Sequence, residues 1–280
     1  MDELFRCFVK EIRFIRNLTP KTISTYEQAW KVYQRYSSEI NQTQLNRFVI
    51  SMREAGISPG GCNSYIRSIN SFLSWLHENG QLTDRLHIKL LKSERKVFRT
   101  FSDDQIKTIL NHKSSAFGEH RLITLLSLLT DTGIRISEAL SLERQKVDLE
   151  NLLIAVKGKG QKDRLVPISV DMRKRLWIFL KKHHHELVFP TRNGGSLLYD
   201  NLRRDLNQLC AALSIEGFDG AFHAFRRKFA RSYTKNGGNV FYLQQSMGHS
   251  NLSTTKLYVE AEIGELVEAH NRTSLLNRLR

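Results

Sequence analysis

The helical pattern that runs from the N-terminus stops at "LLKSERKVFRTFS", residues 90–102. This stretch is basic, lacks a sustained period, and leads into "FSDDQIKTIL", where Ser102 is placed to cap a new helix. No single regular architecture can span such a break. We therefore expect a domain over 1–87, a linker over 88–100 and a second domain over 101–280.

Before the break the periodicity is uniformly helical. "LFRCFVKEIRFI" spaces its apolar residues as one helix face. "LTPKTISTYEQAWKVYQRY" opens with Thr19 as a cap and Pro20 at a first-turn position. "TQLNRFVISMREAG" and "GGCNSYIRSINSFLSWLHENG" predict two further helices, each ending near a glycine. Together they predict a small four-helix domain with Arg and Lys on its polar faces.

After the break the pattern is mixed. "HRLITLLSLLTDTG" reads as an apolar helix with a glycine stop, and "ISEALSLERQKV" as a second helix. "NLLIAV" and "DRLVPI", separated by "KGKGQK", carry a hairpin signature. Helices are expected at about 171–182, 200–213 and 223–235, near 239–247 and near 253–259. The fold class expected is mainly α, an N-terminal four-helix domain joined to a mixed α/β domain with a small antiparallel sheet.

Charge narrows the function. The 280 residues hold 43 Lys plus Arg against 28 Asp plus Glu, a net charge of +15. The excess is spread, with 13 basic against 8 acidic residues in 1–93 and 30 against 20 in 94–280. A globular chain this basic is expected to meet a polyanion, nucleic acid first, over a long footprint. Three dispersed cysteines, Cys7, Cys62 and Cys210, form no disulfide framework and are expected to be reduced thiols. The start "MDELFRCFVKEIRF" carries acids and no cleavage site, so no secretory signal is expected, and no apolar run reaches membrane-spanning length.

Four stretches carry groups suited to a phosphodiester. Attack on phosphorus adds negative charge to its non-bridging oxygens, so a catalyst needs fixed cations, a nucleophile and an acid for the leaving oxygen. "DTGIRISEAL" sets Arg135 after a glycine turn at the start of a helix, with Glu138 one turn on, either orienting an active-site group or solvating the helix. "VKGKGQKDRLVP" sets Lys159 between two glycines at a hairpin tip. "FHAFRRKFA" sets His223 and Arg226 three apart, on one helix face. "MGHSNLSTTKLYVE" supplies His249 on a turn and Tyr258 nine residues later. Each alone has an ordinary structural reading as surface cation, turn, helix cap or packing residue. All four in this order and spacing do not.

In that order the boxes resemble the tyrosine recombinases, or phage integrase family. The compact layout is most similar to the Xer group and the short integrases of mobile elements. "FHAFRRKFA" departs in Phe225 and Arg227, where many relatives have Leu and His, and "MGH" stands for the commoner "LGH". Neither departure removes a catalytic group. The resemblance implies a SAM-like core-binding domain followed by a catalytic domain, with Arg135, Lys159, His223, Arg226, His249 and the nucleophile Tyr258 as the active site and Glu138 in support. It implies cutting and rejoining of DNA through a 3′-phosphotyrosyl link, with no cofactor and no metal. No P-loop or zinc pattern appears, and consecutive residues in "KKHHHE" do not share a helix face.

The implied partners are double-stranded DNA with an inverted-repeat site, a homotetramer on two such sites, and an accessory recombinase or regulator. No membrane is implied, and the expected location is cytoplasmic and nucleoid-associated. Lys21, Arg67 and Arg203 are candidate DNA contacts. The Leu275/Leu276/Leu279 stripe is expected to pack on a neighbouring protomer or within its own chain, and Tyr258 to be restrained until the assembly forms. The alternatives are a type IB topoisomerase-like enzyme and a catalytically silent DNA-binding regulator of the same fold.

Overall fold

The structure, a computed structural model of the chain, describes residues 1–37, 39–94, 98–157 and 163–248. The backbone separates into two compact units, Met1–Lys96 and Val97–Arg280.

The first unit holds α1 (Asp2–Phe14), α2 (Pro20–Tyr36), α3 (Gln42–Glu54) and α4 (Pro59–Glu78). Three of its helix starts follow local rules. The side chains of Thr19, Asn41 and Ser58 accept the backbone N–H of Thr22, Gln44 and Gly61, and Pro20 and Pro59 stand where no intrahelical donor is needed. The core is aromatic. Phe5 stacks on Trp30 at 5.0 Å between centroids, and Phe72 meets the edge of Phe5 at 5.1 Å. The indole N–H groups are satisfied at its rim, Trp30 Nε1 by Asp2 Oδ1 at 3.0 Å and Trp75 Nε1 by Glu11 Oε2.

The chain after α4 is strapped to that helix by two asparagines. Asn70 exchanges both backbone bonds with Ile88, and Asn63 does the same with Leu91, at 2.8–2.9 Å. Each amide imitates a strand neighbour, and Ile88 is thereby buried in the core of the unit.

The second unit begins with α5 (Asp103–Asn111), closed by a capping box between Ser102 and Gln105. Then come α6 (Phe117–Thr132) and α7 (Ile136–Leu140), a 3-10 turn at Arg144–Lys146, and the strands β1 (Val147–Asp148), β2 (Leu153–Lys157) and β3 (Asp163–Pro167). The strands form an antiparallel sheet in the order β1-β2-β3, with Ile154 opposite Val166 and Val156 opposite Arg164. α8 (Val170–Leu180), α9 (Tyr199–Ala212), α10 (Phe222–Lys235) and α11 (Val240–Met247) complete the described part. α6 is apolar and buried through Leu122–Leu129, as expected of a central helix. Among the described residues no helix is long and apolar enough to cross a membrane.

One expectation is corrected here. The helix predicted over "ISEALSLERQKV" ends at Leu140. The backbone beyond it is taken by a distant segment: Val188 N donates to Leu142 O at 2.8 Å, Arg144 N to Glu186 O at 2.7 Å, and Glu143 bridges to Leu187. Long-range pairing overrides helix propensity, and Val147 becomes the start of a third strand. The helices expected near 253–259 and in the C-terminal segment lie outside the described residues.

Candidate active site

Two helix ends frame the site. α6 stops at Gly133 and α11 stops at Gly248, both in the left-handed region at φ +63°. A helix C-terminus leaves carbonyl oxygens without intrahelical donors and carries partial negative charge. Three arginines meet those oxygens. Arg164 Nε donates to Ser246 O at 2.9 Å, Arg226 Nη2 to Met247 O at 2.8 Å, and Arg135 Nη2 to Gly248 O at 3.1 Å. Arg226 also donates through Nη1 to Gly133 O, so one buried guanidinium joins both helix ends.

Local sequence explains how Arg135 arrives there. Gly133 turns the chain out of α6, Ile134 is buried as an anchor, and Arg135 is extended as the N-cap of α7. One helical turn on, Glu138 accepts the Arg135 backbone N–H at 2.7 Å and Arg135 Nη1 at 2.9 Å. The Arg135 side chain keeps 35% of its surface exposed while Glu138 keeps 6%, so the cation remains open to a ligand and the carboxylate does not.

Glu138 has a second cation. Arg164 Nη1 and Nη2 donate to its two carboxylate oxygens at 2.9 Å each, a bidentate fork. Burial alone would raise the Glu138 carboxyl. The hydrogen bonds from Arg164 and from the Arg135 amide outweigh it and hold the group below the usual carboxylate range.

His223 lies in the first turn of α10, beside these charges. The chain enters that helix through Gly220 and through Ala221 at φ +43°, a conformation costly for a residue with a Cβ. The pKa of His223 is lowered, first by desolvation and then by the charges of Arg226, Arg227 and Arg135. The residue as a whole is exposed, so its desolvation is partial and the three neighbouring guanidiniums add to it in disfavouring the charged ring. The imidazole is therefore neutral near pH 7, able to take a proton.

The structure thus brings together Arg135, Glu138, His223 and Arg226. Lys159, His249 and Tyr258 lie outside the described residues, as does the Leu275/Leu276/Leu279 stripe. Lys21 and Arg67 are exposed on the first unit, on α2 and α4, and Arg203 is exposed on α9; none belongs to this cluster. Among the described residues no group of three or more His, Cys, Asp or Glu is placed to hold a metal.

Sequence reading missed Arg164. The signal was the alternation of β3, which sets Arg164 on the same side as buried Val166 and turns Leu165 outward at 65% exposure. A strand that hides its arginine and shows its leucine has a polar partner waiting inside.

The model of the phage integrase family matches residues 99–264. Tyrosine recombinase XerA of Thermococcus kodakarensis is 26% identical over 93% of this chain and 92% of its own. Tyrosine recombinase XerD of Oceanobacillus iheyensis is 26% identical over 94% and 95%. Among solved structures, the Tn1549 transposon integrase in complex with a circular intermediate DNA has the same fold, at a TM-score of 0.80 and 17% identity over 96% of this chain and 99% of that one. The XerH site-specific recombinase bound to its difH substrate aligns at a TM-score of 0.72 and 21% identity over 97% and 84%.

Proposed function

The chain belongs to the phage integrase family and is a tyrosine-type site-specific recombinase, and from that premise we propose that it exchanges DNA strands through a covalent bond between Tyr258 and a 3′-phosphate. The observation that carries this reading is the convergence of Arg135, Arg226 and His223 beside the turn at Gly248, from which the chain continues to His249 and Tyr258.

In this reading the Tyr258 hydroxyl attacks the scissile phosphorus and the 5′-oxygen leaves. A free tyrosine has a pKa of about 10, so only about a thousandth is ionised at neutral pH, and a proton acceptor is needed. His223 is that acceptor, kept neutral by desolvation and by its arginine neighbours. Arg135 and Arg226 hold the non-bridging oxygens, where charge develops. Lys159 gives a proton to the departing 5′-oxygen and recovers it when the strand is rejoined, and His249 hydrogen-bonds the phosphate. The phosphotyrosyl bond conserves the energy of the cut ester, so resealing needs no nucleotide.

A basic surface spread over both units suits contacts to many phosphates, with Lys21, Arg67 and Arg203 among them. The substrate in this reading is duplex DNA with an inverted-repeat site, bound by four protomers on two sites, with an accessory recombinase or regulator setting strand order. A nucleoid location follows from that substrate. Xer recombinases matched along more than nine-tenths of the chain favour strand exchange over relaxation or silent binding.

The test is trapping on a nicked duplex. Candidate sites from the gene's own neighbourhood, nicked next to the cleavage point, are incubated with wild type and Tyr258→Phe without metal or nucleotide. A denaturation-resistant adduct with wild type alone is expected. Equal adducts from both proteins, or tight binding by both with no adduct at any candidate site, would overturn the assignment.

A further inference from the structure

We propose that Arg164 is a positioning residue of this recombinase, setting Arg135 and the C-terminal end of α11 at 246–248 in one register without touching DNA. The inference rests on the function proposed above. Its basis is geometric. One planar guanidinium meets both Glu138 oxygens along one edge and Ser246 O through Nε, all at 2.9 Å. Its side chain is 14% exposed, against 35% for Arg135, so a phosphate reaches Arg135 and not Arg164.

Charge gives the arrangement a purpose. Glu138 is buried and bonded to two arginines. Arg164 and Glu138 neutralise each other, which leaves the charge of Arg135 uncancelled and available to an incoming phosphate. Without Arg164, Glu138 would turn its full charge on Arg135 and weaken the field that the transition state needs.

Position gives it a second purpose. Arg164 stands on β3, five residues after Lys159 in the sequence. Through Ser246 it also holds the C-terminal end of α11, which precedes His249 in the sequence. The packing is close, since a Cβ at Gly248 would lie 2.9 Å from the Arg164 Cζ. The side chain therefore joins β3, the counter-ion of Arg135 and the end of α11, beyond which the sequence runs on to His249 and Tyr258.

The experiment uses the full-length chain and the nicked duplex on which wild type forms its Tyr258-dependent adduct. Arg164→Met is expected to slow adduct formation roughly 10- to 100-fold, the worth of a charge-assisted fork, with duplex affinity changed less than about threefold. Arg164→Lys, which keeps charge but not the fork, is expected to fall between. Glu138→Gln added to Arg164→Met is expected to recover part of the lost rate, because the orphaned carboxylate is gone.

Thermal melting of each variant accompanies the rates. Wild-type cleavage by a folded Arg164→Met overturns the proposal, as does equal loss of binding and cleavage, or further loss when Glu138→Gln is added. If Arg164→Met does not fold, Arg164→Lys decides by the same criterion. Absence of a wild-type adduct overturns the proposed function and this inference with it, whereas a wild-type adduct with unaffected Arg164 variants overturns this inference alone.

Discussion

The ring of Phe229 occupies the place where a side chain at residue 133 would have to be. A Cβ on Gly133 would lie 2.2 Å from Phe229 Cδ1, and the backbone there is already at φ +63°. This contact seats α10 against the end of α6, and Arg226, one turn before Phe229, reaches Gly133 O because of it. Gly133→Ala adds left-handed strain of about 1–2 kcal/mol and overpacking of about 1–3 kcal/mol. Calorimetry is expected to show a melting temperature lower by roughly 4–20 °C, at about 2–4 °C per kcal/mol for a unit of this size.

Arg226→Lys tests the shared duty of that buried cation. An ammonium cannot reach Gly133 O and Met247 O together and still present a fork to phosphate. Loss of one preorganised donor is worth on the order of 100- to 1,000-fold in rate. Single-turnover adduct formation is expected to fall by that much, with binding in gel-shift titrations weakened less than about tenfold.

Acid should loosen the second unit through two histidines packed on Phe179, the buried His183 and the half-buried His120. His183 is buried and packs between the rings of Phe117 and Phe179. Its pKa is lowered by burial and then by the charge of Arg144. His120, packed on the same Phe179, is lowered by burial and then by Lys182 and Arg175. The folded pKa values lie below the ordinary 6.5, so the unfolded chain takes up protons first. Stability is therefore complete above about pH 7 and falls as pH drops through 6.5 towards the folded values, at up to about 1.4 kcal/mol per pH unit per histidine. Melting curves between pH 7.5 and 5 are expected to show this slope, and His183→Phe to flatten it while the unit stays folded. An unchanged slope in His183→Phe would remove His183 from the account.

On the first unit, Arg67 lines a groove of about 520 Å3 with Asn70, Ser71, Ser74, Arg85 and His87. If Arg67 meets a phosphate, Arg67→Ala lowers the slope of log affinity against log salt by about one, uniformly across DNA sequences. Titrations at several salt concentrations measure it. A changed sequence preference at constant slope would make Arg67 a base reader instead.

Much of the local structure was legible before any coordinates. Thr19 and Pro20, Ser102, and the glycine after "LLTDT" all work within one helical turn, and each stands where local rules put it. The hairpin was legible for the same reason, since its strands are neighbours in sequence. The short α7 and the strand β1 were not, because the backbone partners of Leu142 and Arg144 lie more than forty residues away, at Val188 and Glu186.

The same division runs through the active site. Residue types and their spacing along the chain pointed to Arg135, Lys159, His223, Arg226, His249 and Tyr258 as groups suited to a phosphodiester, and the family resemblance made them the expected active site; Lys159, His249 and Tyr258 lie outside the described residues. Folding alone decided that Arg164, Arg226 and Arg135 take the carbonyls of 246, 247 and 248 in turn, and that Glu138 is shared by two of them. Arg135 and Gly248 are 113 positions apart, and Arg164 and Ser246 are 82. No local period encodes a bond over such a distance; it exists only once packing has brought two helix ends and a strand to one point.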